Sequence, residues 1–350
     1  MIDCIDIGGY KIGRGCPCFI IAEAGVNHDG SLDRARRLVD KAARAGADAV
    51  KFQTFQADRI ASPAAPKADY QLRHTDASES QLEMLRRLEL SSEDHVALFS
   101  LCQRSGIQFL STPFDEGSAD FLDELGVAAF KIGSGEITNT PLLMHVARKC
   151  KPVILSTGMS HLSEVDLAVN AVRSAGNDQL VLLHCVSSYP ADPAEANLRA
   201  MHTMAQAFKT PVGYSDHTLG TEIAIAAVAM GARVVEKHFT LDRGSPGPDH
   251  RASLEPDELA ALVRGIRSVE AAMGHGRKEP AASEADTARV ARKSLVAAED
   301  IPAGARLTEE LIAIKRPGSG LPPAMRDQLI GRVALKRIPA GSLLTLEMLK

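Results

Sequence analysis

Two lysines sit inside otherwise apolar runs, Lys51 in DAVKFQTF and Lys131 in AAFKIGSGE. An ammonium group in such a place must be paired with an anion or give up its proton. A structural carboxylate such as Glu23 or Glu136 could neutralise one of them. Two cations accompanied by the hydroxyls of Thr112, Ser134, Ser156 and Ser215 suit a phosphate, which takes cations and hydroxyl donors together. Two histidines, His217 in GYSDHTLG and His238 in EKHFTL, end strand-like segments. A lone histidine there is more often a satisfied core or loop residue. If the two ends are neighbours, both imidazoles reach one metal ion and leave coordination positions open. With oxygen donors from water and substrate, Mn²⁺ or Mg²⁺ acting as a Lewis acid fits better than structural zinc. Asp216, between Ser215 and His217, alternates to the other face of its strand and is expected to be structural.

These side chains need a scaffold that brings them together. Between residues 19 and 238, eight apolar runs of strand length recur: FIIAEAG, DAVKFQTF, IQFLSTPF, AAFKIGSGE, PVILSTG, LVLLHCVSSYP, TPVGYSDHT and RVVEKHFTL. Amphipathic segments separate them. In SLDRARRLVDKAARAGA, for example, Leu32, Ala35, Leu38, Val39 and Ala42 share one helical face and Ser31 is placed as N-cap. Eight strand–helix units predict an α/β fold of the (β/α)8 TIM-barrel type. In such a barrel, chemistry sits at the carboxyl ends of the strands. Those ends carry, in order, Glu23; Lys51 and Gln53; Thr112; Lys131, Ser134 and Glu136; Ser156; His184, Ser187 and Tyr189; Ser215, Asp216 and His217; and Glu236, Lys237 and His238. Any single serine among these is better read as a helix cap; the run of eight polar ends is harder to dismiss.

The chain has 350 residues, enough for a barrel plus a small domain. From Gly274 to Arg292 the pattern turns to small and charged residues without an apolar stripe. Thereafter VAAEDIPAGARLTEELIAIK recurs as VALKRIPAGSLLTLEMLK, two IPAG turns between β-prone segments. The expected division is a barrel over 1–275, a linker over 276–292 and a small pseudo-symmetric β-rich domain over 293–350. With net charge −4, interspersed charges and no tryptophan, the composition does not ask for nucleic acid. No run reaches the roughly 18 apolar residues of a membrane span. Six scattered cysteines read as free thiols of a cytoplasmic protein. Glycine loops such as GSGE lack nucleotide-binding spacing, and His184 and Cys185, adjacent on one strand, face opposite ways and make a poor nucleophile pair.

The motifs IIAEAGVNHDG, ADAVKFQTF, LSTPFD, KIGSGE, ILSTGM, GYSDHTLG, EKHFTLD and GPDH, in this order over nearly the whole chain, resemble the bacterial sialic acid synthases. The tail resembles that family's C-terminal SAF (antifreeze-like) domain, including KRPGSG around Arg316. The resemblance implies metal-assisted condensation of phosphoenolpyruvate with N-acetylmannosamine to N-acetylneuraminate, with phosphate leaving by C–O cleavage. It implies that Lys51, Thr112, Lys131, Ser134, Ser156 and Ser215 hold phosphoenolpyruvate. His217 and His238 would bind the Mn²⁺ or Mg²⁺ that polarises the sugar aldehyde. Glu23, Gln53, Glu136, Tyr189 and Asp249 match sugar-binding or orienting positions, Glu136 being the first candidate for handling the water proton. Ser187, a further phosphoenolpyruvate contact, stands where family members often carry Asn or Thr. Arg316 matches an arginine that reaches the sugar's acyl-amino group across a domain-swapped homodimer. The alternatives are a legionaminic acid synthase acting on 2,4-diacetamido-2,4,6-trideoxymannose, another phosphoenolpyruvate-dependent sugar synthase, or a carbohydrate-binding scaffold. FQTF and GPDH weigh against the pseudaminic branch.

Overall fold

The computed structural model describes residues 4–68, 71–72, 75–76 and 78–350. The chain divides into two compact units, Met1–Gly274 and His275–Lys350.

The first unit is an α/β barrel. After an antiparallel hairpin, β1 (Cys4–Ile7) and β2 (Tyr10–Gly13), come eight parallel strands: β3 (Phe19–Gly25), β4 (Ala49–Thr54), β5 (Gln108–Pro113), β6 (Phe130–Ile132), β7 (Val153–Ser156), β8 (Leu180–Cys185), β9 (Val212–Asp216) and β10 (Val234–His238). Their order is β5-β4-β3-β10-β9-β8-β7-β6, and the end strands β5 and β6 pack against each other to close the ring. All eight predicted runs are strands. AAFKIGSGE gives the shortest of them, because the chain turns at Gly133 into a 3-10 turn over Ser134–Glu136.

The helix Leu32–Ala45 shows how local sequence sets the outer layer. Ser31 Oγ accepts from the backbone N–H of Arg34, and Gly46 ends the helix at φ 83°, a left-handed conformation that costs glycine nothing. Ala35, Leu38, Val39 and Ala42 are buried against the strands, while Leu32 is only partly covered. Residues of alternate strand positions split between two cores. Val50, Phe52 and Val235 face the helices. Phe19, Ala49 and Val234, at the amino ends of their strands, and Ala129, just before β6, pack with Ile5, Ile7 and Ile12 of the hairpin, which plugs that end of the barrel. The sequence reading had no place for this hairpin, since two strands of four residues carry too little periodicity to stand out.

The second unit has its own core, including Leu295, Ile301, Leu307, Ile338 and Leu344. Strands β11 (Ser294–Ala297) and β12 (Ile312–Lys315) pair antiparallel. The two IPAG turns meet across a local dyad: Ile301 and Ile338 exchange both backbone hydrogen bonds at 2.9 Å, Gly304 N–H donates to Ala334 and Gly341 N–H to Ala297. Within the stretch read as a linker, Ala285–Ala291 forms a short helix that buries none of its residues. Alanine-rich composition permits the helix, and the missing apolar stripe explains its exposure. Among the described residues, no helix is long and apolar enough to cross a membrane. All six cysteines are free thiols.

Candidate active site

Strand alternation decides which side chains enter the barrel mouth. On β4, Lys51 and Gln53 point inward while Phe52 faces the helices. On β10, Glu236 and His238 point inward, whereas Lys237 faces outward and pairs with Asp216 at 2.7 Å. Asp216 also accepts from the backbone N–H and the hydroxyl of Thr218, so it braces the turn carrying His217. A cavity of about 560 Å³ opens over these strand ends. Glu23, Lys51, Gln53, Thr112, Lys131, Ser134, Glu136, Ser156, Ser187, Tyr189, Ser215, His217, His238 and Asp249 all line it. Arg316 belongs to the second unit, where it is exposed and donates to the carbonyl of Ala291.

The floor is a buried charge network. Lys51 Nζ lies 2.7 Å from Glu23, 3.2 Å from Thr112 Oγ1 and 3.9 Å from Glu236. Lys131 Nζ donates to Ser156 Oγ at 2.7 Å and lies 3.6 Å from Glu236. Ser215 Oγ donates to Glu236 at 3.1 Å. Glu23 thus neutralises Lys51, as one reading allowed. Lys131 is paired with Glu236 instead of Glu136, which accepts from the side-chain amide of Asn139. Glu236, which the sequence reading placed at the end of its strand but gave no role, belongs to this network; its spacing of two from His238 was the signal that both face inward.

Burial sets the proton affinities here. It lifts Glu23 to about 7, helped by the charge of Glu236 and opposed by Lys51. Burial works against the charge of Lys51, but Glu23 and Glu236 outweigh it and hold that lysine above its usual range. Lys131 is pulled down by burial, which Glu236 offsets only in part. Glu236 stays below the usual range because Lys131 and Lys51 overcome the cost of its burial.

A second wall carries hydroxyls. Ser134 Oγ accepts from the backbone N–H of Gly158 at 2.9 Å and lies 3.1 Å from Cys185 Sγ. A Cβ on Gly158 would stand 2.3 Å from Ser187 Oγ and 2.9 Å from Ser134 Oγ, so a side chain there would push apart the hydroxyls that glycine lets converge. His184 points the other way, toward the carbonyl of Ala196, as alternation requires.

Above the floor, the rings of His217 and His238 stand 5.3 Å apart, with Tyr189 4.2 Å from His217 and 5.6 Å from His238. Burial holds both imidazoles below their usual range, so both are neutral. His217 Nδ1 is 2.6 Å from the carbonyl of Val186, which fixes the tautomer and leaves Nε2 a free lone pair. His238 Nδ1 is buried without a hydrogen-bond partner, 3.8 Å from Asp249. Burial raises Asp249 to about 6. One imidazole with its Nδ1 committed to a carbonyl and Nε2 left over, beside a second whose buried Nδ1 has no hydrogen-bond partner, fits a divalent cation. Among the described residues no group of three or more His, Cys, Asp or Glu side chains is arranged as a cage, so such an ion would need oxygen from water or substrate.

A model of the NeuB family matches residues 38–278, and a model of the SAF domain matches residues 292–350. The N,N'-diacetyllegionaminic acid synthase of Legionella pneumophila is 48% identical over 346 residues, 97% of each chain. That of Campylobacter jejuni is 48% identical over 93% of this chain and 98% of its own. The solved structure of the N-acetylneuraminic acid (sialic acid) synthetase of Leptospira borgpetersenii, in complex with citrate, matches with a TM-score of 0.72 at 39% identity, over 81% of this chain and 94% of that one. The barrel, the tail and the relatives agree: the chain belongs to the NeuB family, that of the sialic and related nonulosonic acid synthases, and ends in a SAF domain.

Proposed function

We infer that this synthase condenses phosphoenolpyruvate with 2,4-diacetamido-2,4,6-trideoxymannose, giving N,N'-diacetyllegionaminic acid and phosphate. The sequence reading put N-acetylmannosamine first. The two legionaminic relatives at 48% identity, against 39% for the sialic acid synthetase structure, support the 6-deoxy diacetamido sugar instead. The observation that carries the chemistry is the floor, where two buried ammonium groups and the hydroxyls of Thr112, Ser156 and Ser215 converge beneath two neutral imidazoles.

Lys51 and Lys131 take the phosphate and carboxylate charge, and the serine wall around Gly158 donates to the remaining oxygens. His217 and His238 would hold a Mn²⁺ or Mg²⁺ ion, which supplies Lewis acidity at the sugar aldehyde. C3 of phosphoenolpyruvate forms a bond to the aldehyde carbon, whose oxygen gains a proton. Water adds at C2, and the C2–O bond to phosphate breaks. Glu23, with a proton affinity near neutral pH, and Glu136 are the carboxylates placed to take the proton of that water. Gln53, 3.5 Å from Glu23, together with Tyr189 and Asp249, lines the space left for the sugar. The SAF domain of a second copy, bringing Arg316, would close the mouth in a domain-swapped homodimer.

The test is a product assay with phosphoenolpyruvate, Mn²⁺ and either sugar, using ¹⁸O in the bridging position of phosphoenolpyruvate. The expected result is higher kcat/KM for the 6-deoxy diacetamido sugar and label in the released phosphate. Absence of product from both sugars, or label retained in the sugar acid, would overturn it.

A further inference from the structure

The cavity has a second half that the chemistry above leaves unused. On β4 the inward positions are Lys51 and Gln53 and on β5 Thr112; Phe55 and Phe114, each one residue past the end of its strand, line the same cavity. At about 3.3 Å per residue, the step of two along β4 moves about 7 Å toward the mouth. Charge at the floor therefore gives way to amide and hydroxyl, and then to aromatic rings. Phe55 and Phe114 meet edge to face, with ring centres 5.9 Å apart. Facing them is the helix Gln81–Leu88, whose Met84, Leu85 and Leu88 line the same cavity. Ile60 completes the wall. These residues form a hydrophobic cluster separate from the two barrel cores.

The wall is held in place by its own sequence. Ser80 and Glu83 make a reciprocal capping box that starts the helix. Ahead of that helix, buried Lys67 donates to the carbonyl of Asp76 at 2.8 Å and pairs with the carboxylate of Glu79 at 3.2 Å. Phe55, Met84 and Leu88 are buried, yet they border the cavity, so the apolar half is a built surface and not a frayed rim.

The geometry points to this wall as the element that selects a methyl group over a hydroxymethyl group at C6 of the acceptor. This rests on the reading of the cavity as the acceptor site. An open-chain sugar whose aldehyde meets phosphoenolpyruvate at the floor sends its far carbons toward the mouth, where the described lining is apolar on the β4, β5 and helix sides. A C6 hydroxyl placed there loses water and meets no partner on Phe55, Ile60, Met84 or Phe114, whereas a C6 methyl buries apolar surface. Gln71 and Gln81, the amides interrupting the wall, suit the acylamino groups instead.

The test compares 2,4-diacetamido-2,4,6-trideoxymannose with its 6-hydroxy counterpart, which differs only at C6. The parent enzyme should favour the 6-deoxy sugar in kcat/KM by about tenfold or more. Ile60→Asn and Leu85→Gln, at half-buried positions, should bring that ratio toward one with KM for phosphoenolpyruvate unchanged. Phe114→Leu, which keeps the wall apolar, should retain the preference. A parent ratio near one, or polar variants that slow both sugars equally, would overturn the assignment. If the parent turns over neither sugar, the synthase reading fails, and calorimetric binding of the same two sugars in the presence of phosphoenolpyruvate decides the wall: tighter binding of the 6-deoxy sugar supports it, while equal or no binding overturns it.

Discussion

The carboxylate of Glu236 lies 3.6 Å from the ammonium group of Lys131, with both side chains almost fully buried. Lys51 stands 3.9 Å away on the other side, so one carboxylate serves two cations. Lys131 already lies below its usual range through burial, and Glu236 is the main influence holding it up. Glu236→Gln should keep the hydrogen bond from Ser215 but remove that support. A cation that loses its anion loses its proton more readily. The alkaline limb of kcat/KM for phosphoenolpyruvate should then move down by about one pH unit or more. An unmoved limb in a folded variant would show that Lys131 does not depend on Glu236 for its charge.

On the outer face of the same strands, Lys237 and Asp216 form a fully buried pair at 2.7 Å. Lys237→Met strands the Asp216 carboxylate, although Thr218 still donates to it. Removing one member of a buried pair costs about 3–5 kcal/mol. Urea denaturation should report a loss of that order, while KM for phosphoenolpyruvate stays at the parent value. A raised KM without loss of stability would place Lys237 in the binding machinery.

Why Lys51 and Lys131 were legible in the sequence, and the role of Glu236 was not, has a physical basis. A lysine inside an apolar run is anomalous by itself, so its need for an anion can be read without coordinates. Glu236 occurs in VVEKH beside two other polar residues, and only the inward register of β10 separates it from Lys237. The eight strands and the barrel they build followed from apolar runs long enough to be buried on both sides. The convergence of Ser134 and Ser187 on Gly158 joins three different strand ends, which no local pattern encodes. The apolar wall was hidden for a related reason: Phe55, Met84 and Phe114 look like ordinary core residues until the helix Gln81–Leu88 is brought beside the two phenylalanines at the cavity. In the second unit, by contrast, the repeated IPAG announced both turns, and their mutual pairing is the symmetric outcome of that repeat.

The two neutral imidazoles lead to a prediction with a readout independent of turnover. Mn²⁺ bound by the parent should be displaced from solution in an electron paramagnetic resonance titration. His217→Ala and His238→Ala should each weaken that binding about tenfold or more. Chelator-treated parent enzyme should lose turnover and regain it on adding Mn²⁺. Full turnover in metal-free buffer would defeat the proposed Lewis acid.

His28 sets an acid limit on stability. Burial lowers it from 6.5 to about 4, and its Nδ1 accepts from the backbone N–H of Gly30. The unfolded chain takes up a proton below pH 6.5 that the native state refuses, so native stability falls as pH drops from 6.5 toward 4. The difference amounts to about 3 kcal/mol. Glu23 and Asp249 run the other way: each is raised, to about 7 and about 6, so their contribution is complete at low pH and is lost as pH rises through those values. His28→Asn replaces the ring nitrogen by an amide oxygen that does not titrate. Relative to the parent, this variant should gain stability between pH 6.5 and 4 in urea denaturation. A constant difference across that window would mean that His28 is protonated in the native state.

Arg316 provides a test of the domain swap. If the SAF domain of one copy closes the barrel of the other, a site needs His217 from one chain and Arg316 from its partner. His217→Ala and Arg316→Ala homodimers should each be nearly inactive. Co-expressed with different tags and isolated as the mixed dimer, the two chains rebuild one complete site, from the barrel of the Arg316→Ala chain and the tail of the His217→Ala chain. Its turnover should reach about half that of the parent dimer, since one of two sites is restored. If each tail served its own barrel, every site in the mixed dimer would carry one defect. A mixed dimer no more active than either homodimer would therefore exclude the swap.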